Sequence, residues 1–273
     1  MKERMPELPE MENYRILLHN KLASKRITDV SIGREKSLNV PEAEFISSVK
    51  GKTVLSVTRR AKHLIFTLSD GQLLVLHLML GGWMFWGEEE EKPNRTFQII
   101  LSFGSESLYF IGLRLGHLHL LTRREAERIF AELGPEPLTP DFTYTAFQAL
   151  LAKKRGRLKI KLVDQHFISG IGNCYSDEIC FEAGILPFRD ISSLKPEQQE
   201  KLYHSIRTLL PEAIQKGGYM ENPLYRGDQL TGGFDSLCRV YDRGGEPCLR
   251  CGGKVKKDII SSRKTFYCPD CQS

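Results

Sequence analysis

Residues 248–271, CLRCGGKVKKDIISSRKTFYCPDC, contain two Cys-x-x-Cys pairs separated by sixteen residues. Two pairs at this separation match a four-thiolate zinc site. Each pair presents two sulfurs from one tight turn, and two turns complete a tetrahedron. Such a module has almost no apolar core, so the metal must hold it together. Cys248, Cys251, Cys268 and Cys271 are the candidate ligands of one structural Zn2+. Four thiolates leave no open coordination position for water, so this metal would not catalyse hydrolysis. Between the pairs lie Lys254, Lys256, Lys257, Arg263 and Lys264. Positive charge on a metal-stapled loop suits a phosphate backbone. A purely structural ribbon with an incidentally basic loop is the alternative.

Working outward, 273 residues suffice for two domains or for one with appendages, and 41% apolar residues support a real core. No apolar run approaches the ~18 residues of a membrane span. The opening MKERMPELPEMENYR is charged and does not read as a secretory signal. Beyond the four zinc ligands remain Cys174, Cys180 and Cys238, which fit ordinary thiols in a reducing cytosol. The formal net charge is +5, and its distribution is uneven. Residues 1–150 hold 19 Lys and Arg against 19 Asp and Glu, whereas residues 151–273 hold 20 against 15. Six basic residues crowd into nine positions: Lys153, Lys154, Arg155, Arg157, Lys159 and Lys161. A solvated helix face is the bland reading of that run. Beside a basic zinc loop, nucleic acid is the better one.

Residues 12–22 read as a helix. Short Val-, Ile- and Leu-rich segments follow at 27–32, 53–58, 63–68, 72–79, 97–103, 107–111 and 117–121. Asp70-Gly71 marks a hairpin between two of them. Regularly spaced short strands predict a β-sandwich. The acidic run Glu88–Glu91 reads as a hairpin tip. LGPEPLTP, residues 133–140, has three prolines in eight positions and reads as a linker. Helical segments are expected over 143–153, 158–167, 175–183 and 196–216, with Gly217-Gly218 ending the last. Between the second and third, Ile168-Ser-Gly-Ile-Gly-Asn173 is a glycine-bearing turn. Asn173 stands where a helix begins, either binding phosphate on free amides or serving as an ordinary N-cap.

With these pieces in order, the chain resembles the formamidopyrimidine-DNA glycosylase and endonuclease VIII family of base-excision enzymes. The resemblance is carried by Met5-Pro-Glu-Leu-Pro-Glu10, Arg59-Arg-Ala-Lys62, Asp164-Gln-x4-Gly-Ile-Gly-Asn173, Glu182-Ala-Gly-Ile-Leu-Pro187, and the zinc module with Arg263-Lys-Thr265. It implies an α+β, multi-domain chain. An N-terminal catalytic β-sandwich with a leading helix spans 1–132, and a linker spans 133–140. A helix-two-turn-helix DNA-binding domain with a glycine-rich lesion loop spans 141–237, and a four-cysteine zinc finger spans 238–273. It further implies a bifunctional glycosylase and AP lyase whose nucleophile is the amine of an N-terminal proline, here Pro6. An α-amino group titrates near neutrality and attacks as the free base. By the same resemblance Glu7 is the acid/base group, Glu10 its support, Lys62 an acid near base or sugar, and Arg263 the grip on the adjacent phosphate. His77, Leu80, Arg114, Lys154, Lys159 and Asn173 fall where the family meets DNA.

Three departures shape the expectations. Met1-Lys-Glu-Arg precede Met5, and a proline nitrogen inside a chain is an amide. The intact Met5-Pro6-Glu7 favours translation from Met5 with removal of that methionine; a retained extension would block the lyase chemistry. The residues that fill the duplex after base extrusion are Leu80, Leu113 and Leu115 here. Leucine can wedge a base step but cannot hydrogen-bond the orphaned base. A family histidine that meets DNA is Thr96. The lesion loop reads Tyr219-Met-Glu-Asn-Pro-Leu-Tyr-Arg226, so specificity for 8-oxoguanine does not transfer. Tyr219 or Tyr225 would stack on an extruded base or pin the loop. The expected partner is double-stranded DNA bearing a damaged base or abasic site, bound by a monomer in the bacterial cytoplasm at the nucleoid. A lesion- or structure-binding paralogue that no longer excises bases is the rival from another class. A zinc-ribbon transcription or RNA-binding factor would leave PELPE unexplained.

Overall fold

A computed structural model describes residues 4–273. It divides into two compact units: the chain up to Glu132 with Lys216–Gly233, and Leu133–Gln215 with Phe234–Ser273. Among the described residues no helix is long and apolar enough to cross a membrane.

The first unit opens with α1, Leu8–Leu22. Met11, Tyr14, Leu18 and Leu22 recur at three- and four-residue steps and bury one face in the core. Its N-terminal turn escapes a periodicity reading because Glu10 and Asn13, off that apolar face, are buried as well. Then follow β1 (Asp29–Ile32), α2 (Glu42–Val49), β2 (Val54–Arg60), β3 (His63–Leu68), β4 (Leu73–His77), β5 (Trp83–Glu88), β6 (Phe97–Ser102), β7 (Glu106–Ile111), β8 (His117–Leu121) and α3 (Arg123–Ala131). The strands form two antiparallel sheets ordered β1-β6-β7-β5 and β2-β3-β4-β8. One core joins them. Val57, Leu64, Phe66 and Leu76 from one sheet share it with Met84, Trp86, Ile99 and Phe110 from the other. This is the expected sandwich. Each such side chain contributes roughly 1.5–3 kcal/mol when fully buried.

Several local expectations change. Asp70-Gly71 does turn β3 into β4, with Gly71 at φ +85°. Glu88–Glu91 is not a hairpin tip, because β5 pairs with β7 rather than with its successor β6. Helix α3 begins at a capping box in which Thr122 accepts from the Glu125 amide and the Glu125 carboxylate accepts from the Thr122 amide.

Segment 216–233, placed by the sequence reading with the helical domain, packs in the first unit instead. Leu224 lies in the sandwich core and its carbonyl accepts from the Trp86 amide. The Asn13 side chain donates to Thr231 Oγ1 at 2.9 Å.

The second unit holds α4 (Tyr144–Ala152), α5 (Leu158–Leu162), α6 (Asn173–Ala183), α7 (Pro196–Gln215), β9 (Lys256–Ile260) and β10 (Arg263–Tyr267). Helix α5 stops well short of residue 167. Asp164 accepts from the His166 amide, and Gln165 bonds the backbone of Val163, Gly170 and Ile171, so side chains replace the helical ladder there. Residues 133–140 belong to this unit, where Gly134 donates to Gln165 and Ser169 to Pro135. The zinc module is not a separate body either. Its hairpin β9–β10 lies on α6, with Phe266, Val255 and Val240 packed against Phe181.

Candidate active site

In the first unit, Pro6 is buried and leads directly into α1. Glu7 (1% exposed) and Glu10 (2%) are buried together. Glu10 Oε2 accepts from the Glu7 amide at 2.8 Å, and its Oε1 accepts from the Tyr219 amide at 2.8 Å. One carboxylate thus braces both the residue after Pro6 and the first residue of the lesion loop. Gly218 makes the approach possible: it sits at φ +74°, and a Cβ there would stand 2.2 Å from Glu10 Oε1. Tyr219 is buried, and its hydroxyl donates to the Met5 carbonyl at 2.9 Å. It pins the loop rather than offering a face for stacking. Tyr225 is half-buried against the core, with Lys21 Nζ 4.1 Å from its ring centroid. Arg4 is seated as well: its guanidinium donates to Tyr219 O at 2.6 Å, and its carbonyl accepts from the Gly81 amide. The residues before it lie outside the described chain.

Lys62 is buried to 6% exposure in the turn between β2 and β3, after Ala61 at φ +53°. At the same end of that sheet His77 closes β4 and His117 opens β8. The two loops that bear the wedge positions, 78–82 and 112–116, approach each other. A Cβ on Gly112 (φ +70°) would stand 2.1 Å from Gly81 O. Leu80 and Leu115 are exposed, at 41% and 64%. Leu113 is fully buried in the core, so it serves packing and is no wedge. Arg114 is exposed and lines a cavity of about 570 Å3 with Arg34, Arg95, Trp83 and Met220. Thr96 borders the same cavity.

In the second unit, Lys159 contradicts its expected role. It is fully buried, donates to Asp177 Oδ1 at 2.5 Å and to Asn173 O at 3.2 Å, and cannot reach a phosphate. Burial pushes the Asp177 carboxyl up to about 7, against the pull of Lys159. Lys154 is half-buried, its Nζ 6.0 Å from the Phe167 ring centroid. Asn173 is the first helical residue of α6 and Gly172 occupies the N-cap, so the asparagine side chain is no cap. Its Oδ1 is buried and has no partner. Arg263 is exposed at the start of β10, after Ser261 and Ser262 with φ of +47° and +64°.

The four cysteine sulfurs gather within 4.8 Å of one another. Cys248 to Cys271 measures 3.7 Å and Cys251 to Cys268 3.6 Å. Sulfurs bound at about 2.3 Å to a tetrahedral zinc stand roughly 3.8 Å apart, so the donor set fits Zn2+.

Three family models match in sequence order. They are the formamidopyrimidine-DNA glycosylase N-terminal domain over residues 5–118, the H2TH domain of the same enzymes over 133–222, and a zinc finger found in FPG and IleRS over 245–273. The formamidopyrimidine-DNA glycosylase of Pelotomaculum thermopropionicum is 36% identical over 98% of this chain and 99% of its own. That of Shouchella clausii is 37% identical with the same coverage. The chain belongs to the formamidopyrimidine-DNA glycosylase family. Its fold is that of solved family members. Wild-type Lactococcus lactis Fpg in complex with DNA containing a benzyl-Fapy-dG superposes with a TM-score of 0.91, at 28% identity, over 98% of this chain and 100% of that one. L. lactis Fpg in complex with abasic-site DNA gives the same TM-score and identity, over 98% and 99%.

Within this glycosylase-family fold, sequence reasoning missed two acids that hold the zinc module. Asp177 Oδ2 accepts from the Phe266 amide at 3.0 Å. The buried Glu178 accepts from the amides of Arg239, Val240 and Tyr241. Consecutive acids in an otherwise apolar helix, residues 174–181, were the available signal. Also missed were His63, His117 and His119, which alternate along strands beside His77.

Proposed function

We propose that this protein is a base-excision repair enzyme, a bifunctional DNA glycosylase and AP lyase acting on oxidised or ring-opened bases in double-stranded DNA. It works as a monomer on the bacterial chromosome in the cytoplasm. The observation that carries the reading is the buried Glu10 carboxylate, which ties the segment following Pro6 to the lesion loop. A nucleophile needs this kind of fixed scaffold to meet a sugar carbon in attack geometry.

Once residues before Pro6 are removed, its nitrogen is a secondary amine. The amine attacks C1′, and the bond from C1′ to the base breaks. The base leaves with a proton from the acid/base pair Glu7 and Lys62. The remaining amine proton passes to the ring oxygen O4′ as the C1′–O4′ bond breaks, and the nitrogen lone pair forms the iminium at C1′. That cation acidifies C2′, and removal of its proton expels the 3′ phosphate. Arg263 holds the phosphate next to the lesion, Lys154 and Asn173 serve neighbouring phosphates, and Leu80 and Leu115 occupy the space of the extruded base. Zinc bound by the four cysteines supplies structure, and no reaction step passes through it.

A second reading follows from the seating of Arg4. A chain that keeps the residues ahead of Pro6 holds Arg4 against Tyr219 and Gly81, and its Pro6 nitrogen stays an amide. That form would read damaged DNA without cutting it.

Borohydride trapping on an oligonucleotide with one abasic site separates these readings. Protein beginning at Met1 is compared with protein beginning at Met5, with the N-terminal mass of each recorded. A covalent adduct from the form with free Pro6 alone establishes the enzyme reading. Tight binding without an adduct from either form establishes the reader. Adducts from both make another amine the nucleophile and remove Pro6 from the role.

A further inference from the structure

The outer face of sheet β2-β3-β4-β8 is divided. Toward one end, Ile65, Leu73, Val75 and Leu121 are covered by Ala126 and Phe130 of α3. Toward the other end, the same face carries four imidazoles in a continuous row. His63 lies directly opposite His77, and His77 opposite His117. His119, two residues along β8, points to the same side as His117. Successive ring centroids are 4.3, 5.7 and 3.8 Å apart. This is the end of the sheet where Lys62 enters β3, and where the loops bearing Leu80 and Arg114 leave and rejoin it.

Arg60, the last residue of β2, and Lys62, in the turn that follows, act on His63 as charges, the Arg60 backbone also hydrogen-bonds His63, and Lys62 acts on His77. The imidazoles otherwise act on one another, and no carboxylate is among these influences. Helix α3 turns Phe130 toward His63 at 5.5 Å between ring centroids. Its Glu125 is committed to Thr122, and its Glu127 and Arg128 are exposed. Burial lowers His63 to about 4, His77 to about 3 and His117 to about 4, and lowers His119 too. The free protein therefore keeps the row neutral at pH 7. Nδ1 of His63 is buried with no hydrogen-bond partner.

A metal does not suit this geometry. The His117 and His119 planes lie 22° apart in a stack, so their lone pairs run side by side instead of converging. Among the described residues the cysteine quartet is the group whose ligand atoms gather closely enough for a metal ion. An anion suits it well, because it stabilises whichever imidazole becomes protonated.

We propose that His63, His117 and His119 extend the His77 position into one phosphodiester-binding patch that takes up a proton when DNA docks. As a DNA site it rests on the repair reading above. The sign follows from linkage. Imidazoles of low pKa in the free protein are raised by the phosphate, so affinity increases as pH falls through the raised value and levels off below the free values. One linked proton gives at most about a tenfold change in Kd per pH unit within that window.

The test uses the full zinc-loaded chain and a duplex carrying a tetrahydrofuran abasic analogue. Kd is measured by fluorescence anisotropy from pH 5.5 to 8.0 at constant salt, for wild type and for the H117Q/H119Q double variant. Calorimetry of the wild type in two buffers of different ionisation enthalpy counts protons directly, so the outcome stands even if the variant fails to fold. Net proton uptake by the wild type, with a pH slope at least about threefold shallower in the variant, supports the patch. Binding without proton uptake, or equal slopes, overturns the patch and leaves the repair reading intact. No DNA binding at any pH overturns both.

Discussion

Lys159 and Asp177 form an ion pair that is shut away from solvent, 2.5 Å from Nζ to Oδ1, and the other oxygen of Asp177 holds the amide of Phe266. A lysine from the most basic stretch of the chain is thereby a strut beneath the hairpin that presents Arg263. Lys159→Ala leaves a carboxyl buried without its cation and should cost about 3–5 kcal/mol in denaturant unfolding. The penalty should be larger at pH 8.0 than at pH 5.5. Burial already raises the Asp177 carboxyl to about 7, above its unfolded value. A group raised on folding favours the native state at low pH, where it is protonated, and loses that contribution as pH rises through the folded value. Equal penalties at both pH values would show that Asp177 stays ionised without its partner.

Glu10 is a second buried organiser. Glu10→Ala leaves the amides of Glu7 and Tyr219 buried without an acceptor. Each orphaned amide costs about 1–3 kcal/mol. Glu10→Gln keeps one acceptor oxygen and should lose about half as much. Both should depress Schiff-base trapping at saturating DNA more than they depress DNA affinity. A trapping rate unchanged in Glu10→Ala would separate Glu10 from the positioning of Pro6.

Zinc removal should act on folding and DNA affinity together. The module's apolar cluster is small, with Phe181, Val240, Val255 and Phe266 around Cys248 and Cys268. Native mass spectrometry should find one zinc per chain. Chelation or Cys251→Ser should loosen the module, seen as faster amide exchange over 245–271, and weaken binding to abasic-site DNA. Full affinity in metal-free protein would contradict the role assigned to this module.

The exposed leucines predict indifference to the opposite base. Leucines at 80, 113 and 115 offer none of the paired donors worth about 1–3 kcal/mol of base discrimination, so cleavage rates with each of four bases opposite one lesion should agree within about threefold. Leu115→Ala should slow base excision more than cleavage of a preformed abasic site, since only the former requires extrusion of a base. A strong preference for cytosine opposite the lesion would sink this account.

Much of this was legible from local pattern. Cysteine spacing announced the zinc module, since two tight turns suffice to bring four sulfurs together. Short Val-, Ile- and Leu-rich segments between turn residues located most strands of the sandwich, and Asp70-Gly71 marked the β3–β4 turn. The strand β5 escaped because its sequence, WMFWGE, holds no Val, Ile or Leu. The PELPE segment carried the family resemblance, but its local sequence could not reveal what Glu10 touches.

By itself, the sequence determined the zinc ligands, the strand-rich first half, the helical second half and the family to which they belong, because each depends on neighbours a few residues apart. Tertiary structure alone decided that Lys159 is a strut rather than a phosphate contact, that segment 216–233 joins the first unit, and that four histidines from three strands share one face. Those outcomes depend on partners 18 to more than 200 residues away, as in Lys159 with Asp177 and Glu10 with Tyr219. Charge runs and periodicities describe which face an element presents. Burial and pairing depend on what the fold sets against that face.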